Sequence, residues 1–193
     1  MSEVRLAPPF QAETPSGKPW LDALRTAQST AANAHAQTMF WQHLREMTFT
    51  RKIDLHPKLI ALFSLWSAKC DGEKLPAREL FTIAELRPWL GHLALLEPLG
   101  SDYHFHLSGT ELIARFGGEA TGRMLGSCRA EHATLRAALN EACQTRAPVP
   151  AVSAIEANGE TAIWNEIVLP LSNDGKHVSR LLVGSYPFQA PPR

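Results

Sequence analysis

The sequence predicts an α+β domain built around a five-stranded antiparallel sheet. Three observations carry that expectation. Between His92 and Arg123 the apolar spacing changes from a period of two to a period of about 3.6, so two short strands run into a short helix. Between Ala151 and Tyr186, three strand-like runs are separated by Asn158-Gly159 and by Asn173-Asp174-Gly175, residues that favour tight reversals. Between these two blocks, Leu135, Leu139 and Ala142 recur at helical spacing, and Pro148 and Pro150 end that pattern.

In chain order, residues 1–19 contain Pro8, Pro9, Pro15 and Pro19 with few hydrophobic anchors, and are expected to form a mobile tail. Residues 20–54 read as a helical extension and connector. Trp20, Leu21 and Leu24 make one apolar patch there, and Met39, Phe40, Leu44 and Met47 another, with a small and polar stretch between them. One long helix or two shorter ones both fit. Such a segment covers its own sheet or the same segment of a second subunit, so Trp20, Leu24, Phe40, Trp41 and Leu44 are candidate interface residues.

The domain proper is expected over residues 55–188, with a short tail at 189–193. Pro57 suits a first helical turn, and Leu59, Leu62, Phe63 and Trp66 follow at helical spacing until Asp71-Gly72. Residues 75–78 read as extended, and 83–90 as a short helical piece broken by Pro88. Trp66 and Trp89 are read as core. Residues 93–97 form an apolar strand ended by Pro98, and Gly100-Ser101-Asp102 is the turn. The strand at 103–108 then places Tyr103, Phe105 and Leu107 on one face and His104, His106 and Ser108 on the other. Thr110 is a candidate cap for a helix with Leu112, Ile113 and Phe116 as its stripe, stopped by Gly117-Gly118. Ser127 is a candidate cap for the next helix.

Strands follow at residues 151–156, 162–171 and 178–186. The long one is apolar on both faces, with Ile163, Ile167 and Leu169 against Trp164 and Val168. The last repeats this, with Leu181 and Val183 against Leu182 and Tyr186. A sheet with one wet face alternates cleanly, so both faces of this one should be covered. The helices would take one face, and the N-terminal segment or a second subunit the other.

Composition narrows the function classes. Nineteen basic and nineteen acidic residues balance to a formal charge of zero, unlike the basic footprint of a nucleic-acid binder. Cys70, Cys128 and Cys143 are odd in number and include no CxxC pair, which fits a reducing cytoplasm rather than a disulfide framework. Glu3 and the early prolines do not resemble a signal peptide, and no apolar run approaches the roughly 20 residues of a membrane span. A soluble, cytoplasmic protein is expected.

Motif order sharpens the fold. Leu75-Pro76-Ala77-Arg78, His92-Leu93-Ala94-Leu95-Leu96, Leu107-Ser108-Gly109-Thr110-Glu111-Leu112, Phe116-Gly117-Gly118, Thr121-Gly122-Arg123 and Leu169-Pro170-Leu171-Ser172 follow one another at characteristic spacings. In this the chain resembles PAS domains, specifically a family of small, often stand-alone bacterial PAS proteins, over roughly residues 59–188. The resemblance implies a strand order of 2-1-5-4-3 and a regulatory role. With no kinase, cyclase or helix-turn-helix segment legible as an output, the expected mode of action is protein–protein interaction, as a homodimer, with a signalling partner such as a histidine kinase. A PAS fold offers a space between sheet and helices, where a small-molecule ligand would bind. Phe105, Leu107, Ile113, Phe116, Leu139, Trp164 and Leu182 are the candidates to line it.

No catalytic constellation is legible, and no cofactor is expected. Gly126-Ser127-Cys128-Arg129 faintly matches the reactive-cysteine motif of flavin-binding PAS domains. Aligning the Gly-Arg pair on Gly122-Arg123 instead puts Leu125 at the cysteine's place. Cys128 is then an ordinary thiol, whose pKa a nearby helix start would lower. His132 lies near the helix that supplies the iron ligand in haem-binding PAS domains, and is read as a surface or capping residue rather than a ligand. His104 and His106 share a strand face at a spacing that metal sites use. No third ligand is identifiable from sequence, so they are read as polar residues and no metal is expected. Gly117-Gly118 lacks the residues of a phosphate loop, Gly184-Ser185-Tyr186 is not a nucleophile elbow, and Glu97, Asp102 and Glu111 are not poised as an acid–base pair.

Overall fold

The computed structural model describes Thr38, Gln42 and residues 55–128, 132–157 and 160–188. The candidate interface residues Trp20, Leu24, Phe40, Trp41 and Leu44 lie outside that set, as do both expected tails and the Asn158-Gly159 turn.

Helix α1 (Pro57–Ala68) starts with proline at its first turn, and His56 Nδ1 accepts from Lys58 N at 3.2 Å to cap it. A 3-10 turn at Arg78–Leu80 leads to the four-residue helix α2 (Ile83–Leu86), closed by a Thr82–Glu85 capping box. After a second 3-10 turn at Leu90–His92 come β1 (Leu93–Leu99) and β2 (Asp102–Ser108), then the short helix α3 (Ile113–Phe116). The 3-10 turn Leu125–Ser127 precedes α4 (Ala133–Thr145), and β3 (Val149–Ala157), β4 (Glu160–Leu171) and β5 (Arg180–Pro187) complete the chain.

The sheet order is β2-β1-β5-β4-β3, and all four pairings are antiparallel. This is the 2-1-5-4-3 order that the resemblance implied. Both faces are covered, as the two-sided strands required. On the inner face, Leu135, Ala138, Leu139 and Ala142 of α4 join Phe105, Phe116, Trp164, Val168, Leu181 and Val183 in one cluster. On the outer face, Leu59, Leu62, Phe63 and Trp66 of α1 join Trp89, Ile167, Leu169, Leu182 and Tyr186. Among the described residues the cover over β4 and β5 is α1; the expected cover by the N-terminal segment falls on residues outside the described set. Trp66 and Trp89 are core residues, and each indole N–H is satisfied: Trp66 donates to Pro170 O at 2.9 Å and Trp89 to Lys58 O at 2.7 Å.

Two local expectations are corrected. Ser127 does not cap α4; it closes the 3-10 turn by donating to Met124 O at 2.7 Å, and His132 takes the position before the helix. Leu107 does not share a face with Phe105. Phe105 pairs with Leu96 but Leu107 pairs with Leu95, so His106 is an extra residue on β2. A bulge of one residue reverses the alternation beyond it, and Leu107 ends up 42% exposed.

Candidate functional site

The inner face carries an ion pair that no water reaches. Glu166 stands on β4 between Trp164 and Val168, and pairs directly with Ser185 on β5. Ser153 on the edge strand β3 stands diagonal to it, opposite Trp164. Arg115 comes down from α3. Its side chain and that of Glu166 are both 0% exposed. The guanidinium meets the carboxylate with two bonds, Nε to Oε1 at 2.9 Å and Nη2 to Oε2 at 3.2 Å. Ser185 donates to Oε1 at 3.0 Å and Ser153 to Oε2 at 2.5 Å. Each carboxylate oxygen thus accepts twice, which is what makes a charge tolerable at this depth.

Arg115 also reaches His132, whose Nδ1 lies 2.9 Å from Nη1. Arginine can only donate, so Nδ1 accepts and the proton of the neutral ring sits on Nε2. Nε2 is buried and has no partner among the described residues. Burial, with Arg115 and Arg136 nearby and only Glu166 opposing them, lowers the His132 pKa to about 4. Phe116 packs against both, with its ring 5.4 Å from the imidazole and 5.2 Å from the guanidinium carbon. One network therefore ties α3, the start of α4 and strands β3, β4 and β5 together.

Among the candidate lining residues, Phe105, Phe116, Leu139 and Trp164 lie in the inner cluster around this pair. Leu182 does not; it faces α1 in the outer cluster. Leu107 and Ile113 are exposed, at 42% and 47%, and line no interior. A single helical turn buries positions i, i+3 and i+4, here Leu112, Arg115 and Phe116, which leaves Ile113 facing out. Sequence reasoning missed Arg115 and Glu166. The available signal was a charge inside an otherwise apolar setting on each element.

Cys128 is half-buried, and burial raises its pKa against the lowering effect of Arg123, opposite in direction to the lowering that a helix start would give. Leu125, at the aligned position of the flavin-reactive cysteine, is 1% exposed and part of the inner core. His132 is buried in the network rather than a surface residue. His104 and His106 stand on the other face, beside Glu97.

A family model described as "PAS domain" matches residues 54–186, more than half of the chain. The chain belongs to the PAS domain family. Two solved structures are among those similar to this PAS domain. One is a light-oxygen-voltage domain whose mechanism was probed with a flavin analogue: 11% identical, TM-score 0.43, covering 55% of this chain and 84% of that one. The other is the light state of the blue-light photoreceptor Aureochrome1 LOV: 10% identical, TM-score 0.40, covering 56% and 90%. None of the curated proteins compared with the chain matches it. The PAS motif residues have visible work in this structure. Thr121-Gly122-Arg123 lies along the free edge of β2, where Gly122 N donates to Phe105 O at 2.8 Å, Phe105 N to Arg123 O at 2.9 Å and Ser108 N to Thr121 Oγ1 at 3.0 Å. That edge is thereby closed to adventitious strand pairing.

Proposed function

We propose that this PAS domain is a regulatory module of a bacterial sensory pathway, working as a homodimer and acting by contact with a signalling protein such as a histidine kinase. The observation that supports the reading is the Arg115–Glu166 pair. It fills with the chain's own side chains the helix–sheet interface where a liganded PAS domain would hold a small molecule. A signal then travels through the surface. Helix α1 rests on β4 and β5, and residues 20–47, amphipathic by sequence, lead into it. A partner that shifts this segment would shift α1 against the sheet. No catalytic step and no cofactor is assigned.

Light scattering on the full chain and on a variant lacking residues 1–50 tests this. A dimer that becomes a folded monomer on truncation is expected, with circular dichroism unchanged. A truncated protein that keeps the full-length oligomer would sink the proposal. A second reading, a small-molecule sensor, has one observation in its favour: His132 Nε2 is a buried donor without a partner among the described residues at the same interface. Native mass spectrometry of the purified full chain separates the two. An added mass of a few hundred daltons favours the sensor, and a bare chain favours the adaptor.

A further inference from the structure

We propose that Glu97, His104 and His106 form a binding site for a divalent transition-metal ion, with zinc the best-matched case. The hairpin register builds the cluster. Glu97 on β1 pairs directly with His104 on β2, and His106, two residues on, shares that side of the strand. One ligand atom from each of the three lies within 4.8 Å of the others. The two rings meet edge-on with centroids 5.0 Å apart, and His106 Nε2 lies 2.6 Å from Glu97 Oε2. Bonds of about 2.0–2.2 Å from one ion to such nitrogen and oxygen atoms need them a little over 3 Å apart. Small side-chain rotations reach that from the observed arrangement.

The surroundings favour occupancy. Arg180 Nη1 holds Glu97 Oε1 at 2.6 Å, which orients the carboxylate and leaves Oε2 as the donor. The ring nitrogens of His104 have no hydrogen-bond partner among the described residues. Helix α1 packs on β4 and β5, and the Glu97 and His106 side chains are each 35% exposed, so an ion and a completing water can approach. Two imidazoles and one carboxylate form a borderline donor set that suits zinc, nickel or ferrous iron and not magnesium or calcium. The ion takes the place of the proton between His106 and Glu97, and that proton moves to Nδ1 or to solvent.

Calorimetric titration of the chelator-stripped full chain with zinc chloride tests the site, with magnesium chloride as the hard-cation comparison. One zinc per chain is expected at the site, with no heat from magnesium. His104→Ala, His106→Ala and Glu97→Gln should each weaken that event roughly tenfold or more, since even ligand-supporting residues reach that scale. His177→Ala, which removes an exposed imidazole paired with Asp174 elsewhere, should leave it unchanged. Histidine ring NMR signals supply a second readout, because zinc should move those of His104 and His106 in the wild-type chain. Zinc binding that survives all three substitutions, no binding by the wild type, or ring signals that stay put would each overturn the proposal.

Discussion

At the scale of residues, Arg115 and Glu166 set the energetics of the interior. Their attraction competes with the large cost of taking two charges out of water, and the serine donors are what balance it. Removing one partner strands the other. Glu166→Ala should therefore destabilise the fold by about 3–5 kcal/mol in urea unfolding, whereas the double variant Arg115→Met/Glu166→Leu should cost much less than the sum of its single changes. His132 adds a pH dependence whose sign is determined. Its native pKa, about 4, lies below the 6.5 of a free histidine. As pH falls through 6.5 the unfolded chain takes up a proton that the native ring accepts only near 4. Stability is thus highest above pH 6.5 and falls by at most about 3 kcal/mol on the way down to 4. Urea midpoints measured from pH 4 to 7 should show a flatter slope in His132→Gln than in the wild type. Of these three residues the sequence singled out only His132, and read it as a surface or capping residue. A charge in a short helix or strand is ordinarily a solvated one, and only the assembled fold sets Arg115 against Glu166 in the interior.

At the scale of elements, close approach decides what may vary. Helix α1 sits directly over β5 at Gly184, where an added Cβ would come within 2.8 Å of Leu59 Cδ2 and Leu62 Cδ2. Alanine there is absorbed by turning two leucine tips. Valine is not, and Gly184→Val should lower stability by about 1–3 kcal/mol through overpacking, measurable as a shifted thermal midpoint. Gly109 is stricter, because its added Cβ would fall 2.3 Å from the backbone oxygen of Gly91, where the 3-10 turn Leu90–His92 before the β1–β2 hairpin meets a further one, Thr110–Leu112, after it. The glycine of the Gly109-Thr110 pair is thus required by backbone proximity. The bulge at His106 belongs to this scale as well. It was invisible in the alternation of 103–108, since a register shift arises from pairing and leaves no trace in the strand's own pattern.

At the scale of the molecule, the sheet is a shared wall between two apolar clusters. Ile167 and Leu169 face α1 while Trp164 and Val168 face α4, so neither cluster can open without loosening β4. Since α1 already covers the outer face, deleting residues 1–50 should change the unfolding free energy by less than about 1 kcal/mol. Trp66→Ala, which empties the α1 interface, should cost about 3–5 kcal/mol. Denaturant titrations of the two variants against the full chain check both values. A truncation that keeps its stability and loses its oligomer would place residues 1–50 in signalling rather than in folding.

The sequence by itself determined the sheet, its five strands, the two-sided burial and the family, because each rests on local periodicity or on motifs whose order survives unfolding. Tyr103 and Phe105, Trp66 and Trp89, and the apolar set of β4 all sit where their spacing put them. The tertiary structure alone decided which cover lies on which face, that Leu107 and Ile113 turn outward, and that Arg115, His132 and Glu166 meet inside. It also decided that Glu97 stands beside two histidines. Those facts depend on strand register and on contacts between residues far apart in the chain, and burial is a property of the assembled fold rather than of any residue's type.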